Sequence, residues 1–213
     1  RMTTRLTSKY LVVSLVFGVG LLAQARASER RDLKAIAERI VTESAGVREG
    51  DLVLVTGDVR DIDLVENLSI ASARHGAAPM QLVARERTGV RYFTEVPEKF
   101  DGTRAAFVVQ MAALPTVHLS VNSSAETGLY RAVPASRLAT VGKSFRPFDE
   151  SLMKRGVRQV FIGNGLYPTT ATAKRLGVSL AELEKTFWNA LATDPKLIQA
   201  NGSEVRGAFA GAK

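Results

Sequence analysis

A helix-strand-helix-strand alternation within about fifty residues limits most what this chain can fold into. Leu33, Ile36, Ala37, Ile40 and Val41 recur at helical spacing, and Gly46 stands where a helix C′ glycine is expected. The turn REGD leads into LVLVT, residues 52–56, a short apolar run that predicts a buried strand ended by Gly57-Asp58. Ile62, Val65, Leu68 and Ser72 predict a second helix, capped by Asp61 or Asp63 and closed by Gly76. MQLVA, residues 80–84, predicts a second strand. Short connections between alternating elements argue for an α/β fold, a mostly parallel sheet with helices on both faces.

The rest of the chain continues this pattern less regularly. ERTGVRYFTEVPEKFDG, residues 86–102, reads as an irregular, partly exposed loop. The alanines and Met111 make residues 105–114 a helix rather than a strand pair, and Pro115 ends it. Residues 116–121 (TVHLSV) and 158–163 (RQVFIG) predict two further strands. Between them the sequence suggests a short helical turn after Pro134 and a short helix over 148–155. Residues 170–176 predict a helix. Ser179-Leu180-Ala181-Glu182 is a capping box that opens another, with Leu180, Leu183, Phe187 and Leu191 on one stripe. Residues 201–212 suggest a last helix.

The N-terminus reads as an export signal. Arg5 and Lys9 supply a charged start, residues 11–23 (LVVSLVFGVGLLA) an apolar stretch, and Ala25-Arg26-Ala27 a cleavage site before Ser28. That apolar stretch is shorter than the ~20 residues of an ordinary membrane span. The expectation is a cleaved signal over residues 1–27, an exported (periplasmic or secreted) protein, and no stable membrane association after cleavage. It also changes the reading of the charge. Of the 29 basic side chains, Arg1, Arg5, Lys9 and Arg26 lie in this segment, which has no acidic residue; 25 basic and 21 acidic remain beyond it, a net 25 − 21 = +4. The remaining basic residues are scattered, without the focused stripe that nucleic-acid binding requires. There is no cysteine, which excludes disulfides, zinc–thiolate and iron–sulfur sites, and a thiol nucleophile.

Few residues suggest chemistry. The two histidines, His75 at a helix end and His118 in a strand, do not stand in a metal-binding spacing. Asp58, Asp61 and Asp63 follow the first strand. Carboxylates there can hold magnesium or a ribose, as in a small-molecule enzyme, and are also what turns and helix caps prefer. Gly163-Asn164-Gly165 precedes a Thr-capped helix and is either an anion cradle or a tight turn. No nucleotide-binding glycine motif and no nucleophile elbow occurs.

Three segments carry a family resemblance: YPTTATAKRLGVS (167–179), LAELEKTFWNALATDPKLI with Phe187 and Trp188, and GVREGDLVLVTGDVRDIDLVENLSIASARHGAAPMQLV (46–83). Their order and spacing resemble the thermophilic metalloprotease family, of the aminopeptidase T and leucyl aminopeptidase type, over roughly residues 33–213. The resemblance implies a two-part enzyme, an N-terminal α/β domain followed by a C-terminal domain. The latter holds two divalent metal ions, of the zinc, cobalt or manganese type, on glutamates, histidines and an aspartate. It implies a peptide substrate, and a homodimer supported by contacts of the N-terminal domain. His75 and His118 do not match the family's metal histidines in position. No residue here is therefore assigned a catalytic, cofactor-binding or metal-binding role. The expectation is that residues 28–213 are the N-terminal, non-catalytic part of an exported metal-dependent aminopeptidase, truncated at the C-terminus. The rival from another class is a stand-alone periplasmic binding or scaffold module.

Overall fold

A computed structural model of the chain describes residues 32–123 and 128–210. The expected signal segment, residues 1–27, lies outside the described residues.

Strands β1, Leu52–Asp58, and β3, Val117–Val121, occupy the middle of a four-stranded, all-parallel sheet. Their sequences dictate this. A strand covered on both faces must be apolar without alternation, and Val53, Leu54 and Val55 of β1 and Val117 and Leu119 of β3 are all buried. Strands β2, Ala78–Ala84, and β4, Arg158–Ile162, flank them, giving the order β2-β1-β3-β4. Pro79 can stand in β2 because an edge strand leaves one side of its backbone unpaired. The register aligns Leu54 with Met80 and His118, and His118 with Gln159.

Helices lie on both faces, as expected. Helix α1, Leu33–Arg39, continues as a π-helical turn over Ile40–Ser44 and buries Ile36, Ala37, Ile40 and Val41. Gly46 follows in the left-handed conformation. Helix α2, Ile62–Arg74, packs on β1 and β2 through Leu64, Val65 and Leu68. Helix α4, Thr103–Met111, and helix α5, Ala135–Lys154, pack together. The Phe148 ring of α5 meets the His118 ring edge-on at 6.0 Å, which places α5 over the face that carries Leu54 and His118.

Asp51 holds the amino ends of three strands together. Its carboxylate accepts from Arg158 Nη2 at 2.5 and 2.6 Å, from Thr116 Oγ1 at 2.7 Å and from the Arg48 amide at 2.7 Å. Burial is the largest single influence on Asp51 and pushes its pKa up. The hydrogen bonds from Thr116, Arg158 and Arg48 outweigh it and hold the carboxyl below its ordinary value.

Several expectations are corrected. Residues 86–102 are no irregular loop: Glu86–Glu95 forms helix α3, followed by a 3-10 turn at Glu98–Phe100. Gly89, Tyr92, Phe93 and Val96 lie at i, i+3, i+4 and i+7, and each is partly buried, so the amphipathic face overcomes poor intrinsic propensity. The two short helical pieces after Pro134 are one twenty-residue helix, α5, that carries Pro147 in its interior. Gly57 and Asp58 do not end β1 but belong to it. The last helices are α6, Thr170–Leu176, α7, Leu180–Leu191, and α8, Pro195–Phe209. The last begins six residues before the expected Asn201, with Asp194 as its cap and proline in its first turn. The α7 capping box forms, Ser179 Oγ accepting from the Glu182 amide at 3.1 Å. Of the expected α7 stripe only Leu183 is buried; Trp188 replaces Leu180, which is exposed.

Candidate functional site

The sheet topology creates one crevice. From β1 the chain passes through α2 to β2 on one side, then through α3 and α4 to β3 on the other. The connections diverge beyond the carboxyl ends of β1 and β3, where open parallel sheets place ligands. A cavity of about 200 Å³ lies there, lined by Asp58, Glu86, Ser120, Val121, Asn122 and Ser123.

Each carboxylate in this region has a distinct environment. Asp58 caps the 3-10 turn Val59–Asp61 by accepting from the Arg60 amide at 3.0 Å, and accepts from Arg60 Nε at 3.0 Å and the Glu86 amide at 2.9 Å. Burial, its largest influence, pushes the Asp58 carboxyl up, but these donors together keep it below the ordinary value. Arg60 also reaches Glu86, at 3.3 Å, so one cation offsets two carboxylates. Asp61 is buried and accepts hydrogen bonds from Ser123 Oγ and from the Tyr167 hydroxyl. Burial raises its pKa despite these donors and Arg60.

The aspartates after β1 thus separate by role. Asp61 stands at the N-cap of α2, yet its side chain makes no cap bond; it is turned to Ser123 instead. Asp63 is exposed in the first turn of α2, where a carboxylate suits the helix dipole. Nothing in the sequence links Ser123 and Tyr167 to Asp61, since they lie 62 and 106 residues from it; only the parallel-sheet register brings them together.

The Gly163-Asn164-Gly165 turn closes the same end of the sheet. All three residues have positive φ, at 102°, 41° and 83°. A Cβ at Gly163 would lie 2.5 Å from the Asn122 carbonyl oxygen and 3.0 Å from Tyr167 Cβ, so glycine lets the β4 loop close against the end of β3. The Leu166 amide donates back to Gly163 O at 2.8 Å, and the Thr172 amide to Thr169 Oγ1 at 3.1 Å. Three consecutive left-handed residues make this a tight turn. Tyr167 carries the turn into an aromatic cluster, its ring 5.3 Å from Phe187 and 6.0 Å from Trp188.

The histidines stand apart from the crevice. His75 Nε2 pairs with Glu38 at 2.5 Å, and that hydrogen bond holds the Glu38 carboxyl below its ordinary value. His118 is buried, with Nε2 3.0 Å from Thr56 Oγ1 and its ring between Phe148 and Phe161. Burial pushes its pKa down, against the opposing influence of Gln159 and Asp149. Among the described residues, no three His, Asp or Glu side chains converge as a metal site requires. These residues do not fit the metal pair of a metalloprotease.

The family model for thermophilic metalloproteases (M29) matches residues 29–200. The chain belongs to that family. No curated protein matches it. Among solved structures it is similar to wild-type AmpT from Thermus thermophilus, with a TM-score of 0.58 and 16% sequence identity, over 76% of this chain and 43% of that one. At that identity the likeness is one of fold. The chain spans less than half the length of the protein it matches. The expected α/β architecture and the expected family thus both hold, and the family ties the chain to metallopeptidases.

Proposed function

We propose that this chain is the N-terminal, non-catalytic part of an exported metal-dependent aminopeptidase, one that releases N-terminal residues from peptides. One observation carries the reading. A chain of a metalloprotease family presents a complete parallel sheet, and yet no set of metal ligands among its described residues. Its match to 43% of the AmpT chain supports placing the metals in sequence that this chain does not match. Two divalent ions of the zinc, cobalt or manganese type would be held there, activating a water and polarising the scissile carbonyl. This domain would wall the cleft and support a homodimer.

Export rests on the charged start, apolar stretch and A-x-A site of residues 1–27, and among the described residues no helix is long and apolar enough to cross a membrane. Mass spectrometry of the protein recovered from an exporting host tests it: a mature chain starting at Ser28 supports export, and an intact N-terminus in the cytoplasm opposes it.

A second reading, a stand-alone periplasmic binding module, is favoured by the crevice beyond β1 and β3, which is a ligand position in its own right. Assaying residues 28–213 against a panel of aminoacyl amides with added zinc, cobalt or manganese decides whether catalysis resides here. No turnover fits either reading, and coding sequence downstream with paired glutamates, two histidines and an aspartate selects the first. Metal-dependent release of N-terminal residues would overturn both.

A further inference from the structure

A cavity of about 290 Å³ lies between α3 and α5 and shares no lining residue with the crevice at the strand ends. Each helix turns one stripe toward it. Gly89, Tyr92 and Phe93 stand at i, i+3 and i+4 of α3, and Leu138, Val141, Gly142 and Phe145 at i, i+3, i+4 and i+7 of α5. Two glycines shape the space in opposite ways. Gly89 lets the Tyr130 ring lie against α3, since a Cβ there would collide with the Tyr130 hydroxyl. At Gly142, in the middle of the α5 stripe, nothing outside its own helix lies within 4 Å of where a Cβ would be. Packing therefore does not demand glycine at a helix-interior position that disfavours it, and the space beside it stays open.

The walls are aromatic and offer a ligand no charge. The Tyr92 and Phe93 rings stand at 87° with centroids 6.3 Å apart, and those of Phe93 and Tyr130 at 86° and 6.0 Å. A planar ring placed among rings at right angles meets the face of one and the edge of the next, the arrangements aromatic pairs prefer. Asp101 is the one ionised side chain among the described lining residues; it is buried, and its carboxylate accepts from Arg137 Nε at 2.8 Å and Nη2 at 2.5 Å. Arg137 also donates to the Phe93 and Val96 carbonyls, and its guanidinium lies 5.4 Å from the centre of the Phe93 ring, which thus already carries a cation. The Tyr92 hydroxyl donates to Phe100 O at 2.9 Å and that of Tyr130 to Glu86 O at 3.5 Å. A charged ligand would lose its hydration here without gaining a partner in the walls. Size narrows the choice further: an apolar cavity of about 150 Å³ holds benzene, so about twice that volume admits two fused rings. The lining rings are only partly buried, which leaves an entry from solvent.

We propose that this cavity binds a neutral bicyclic aromatic ring of indole size, either free or carried as the side chain of a tryptophan. The ring enters between α3 and α5 and occupies the space beside Gly142. The proposal goes beyond the aminopeptidase reading and does not depend on it, because ring binding needs neither metal nor catalysis.

The test is calorimetric titration of the full chain with indole, with N-acetyltryptophanamide, and with the charged analogues tryptamine and indole-3-acetate. The expected result is saturable binding of indole at one site, at least tenfold weaker for both charged analogues. Binding of the amide as well supports a peptide side chain as the source, and binding of indole alone supports a free molecule. Gly142→Leu fills the cavity with a good helix former, and indole affinity falls at least tenfold while the circular dichroism is unchanged. Gly142→Ala, which favours the helix and fills less of the space, lowers it at least threefold. A second apolar cavity, of about 240 Å³, lies beside β1 and β2, is lined by Met80 and Leu114 among others, and has no ring in its described walls. Methyl NMR separates the two: indole should move the Leu138 and Val141 resonances and not that of Met80. Absence of saturable binding, equal affinity in both Gly142 variants and the unmodified chain, or shifts at Met80 in place of Leu138 and Val141 overturns the site. Equal affinity for either charged analogue overturns the assignment of a neutral ligand.

Discussion

Replacing Gly163 with alanine separates the two costs that the turn beyond β4 imposes. Its φ of 102° lies where a residue with a Cβ is strained, which costs about 1–3 kcal/mol. The added Cβ would also stand 2.5 Å from the Asn122 carbonyl oxygen and 3.0 Å from Tyr167 Cβ, so the β4 loop must move away from the end of β3. Gly165, two residues on, has φ 83° and nothing within 4 Å of its Cβ position, so alanine there meets the conformational cost alone. Misfit of a buried backbone adds about 1–3 kcal/mol of its own, the scale of overpacking in a closely packed site. The expectation is about 1 kcal/mol lost in Gly165→Ala and about 3 kcal/mol in Gly163→Ala. In a domain of this size that difference is about 4–8 °C in Tm. Urea unfolding followed by Trp188 fluorescence measures it as a shift in midpoint at constant slope. Equal midpoints for the two variants would refute the account, because the close approach of the β4 loop to Asn122 would then contribute nothing.

Three further outcomes follow from the described contacts. His118 has a folded-state pKa below its unfolded value, so the unfolded chain binds more protons as pH falls through the ordinary histidine range. The stability it contributes is present above about pH 6.5 and is lost as pH drops below it. Denaturation midpoints between pH 7.5 and 5.5 should fall more steeply in the unmodified protein than in His118→Leu, and parallel slopes would count against this. Leu119→Ala empties a fully buried position between the two helix layers and should cost about 2–5 kcal/mol by urea unfolding; a loss under 1 kcal/mol would mean the sheet centre is not closely packed. Tyr167→Phe removes a donor to the buried Asp61 carboxyl while keeping the ring against Phe187, and should destabilise by about 1 kcal/mol and raise the Asp61 pKa further; an unchanged titration of the Asp61 carboxyl carbon by NMR would deny that contact.

The parts of the fold legible in the sequence are those whose signal is local. Leu52–Val55 and Val117–Leu119 are apolar without interruption, which only a doubly covered strand accommodates, and Ile62, Val65, Leu68 and Ser72 repeat at helical spacing. Helix α3 was hidden by composition: Thr, Val, Tyr, Phe and Gly89 all disfavour a helix, although the spacing of Gly89, Tyr92, Phe93 and Val96 carries the amphipathic face. Helix α5 was split by Pro147, which lacks the amide that an interior helical position donates, and by Gly142. The crevice was half legible. Asp58 and Asp61 are where carboxylates after a first parallel strand belong, but their separation into a half-buried cap and a buried acceptor depends on Arg60, Ser123 and Tyr167. Ser123 and Tyr167 reach Asp61 only through the β1-β3-β4 neighbourhood, a tertiary fact with no local signature.

The proposal places the metals of this metalloprotease-family chain outside residues 28–213. Equilibrating residues 28–213 with zinc, cobalt or manganese, removing free ion and measuring bound metal by elemental analysis tests it directly. Far less than one equivalent per chain is expected, because among the described residues no three ligand side chains converge. Two equivalents retained per chain would contradict it, and would place a metal pair within residues 28–213.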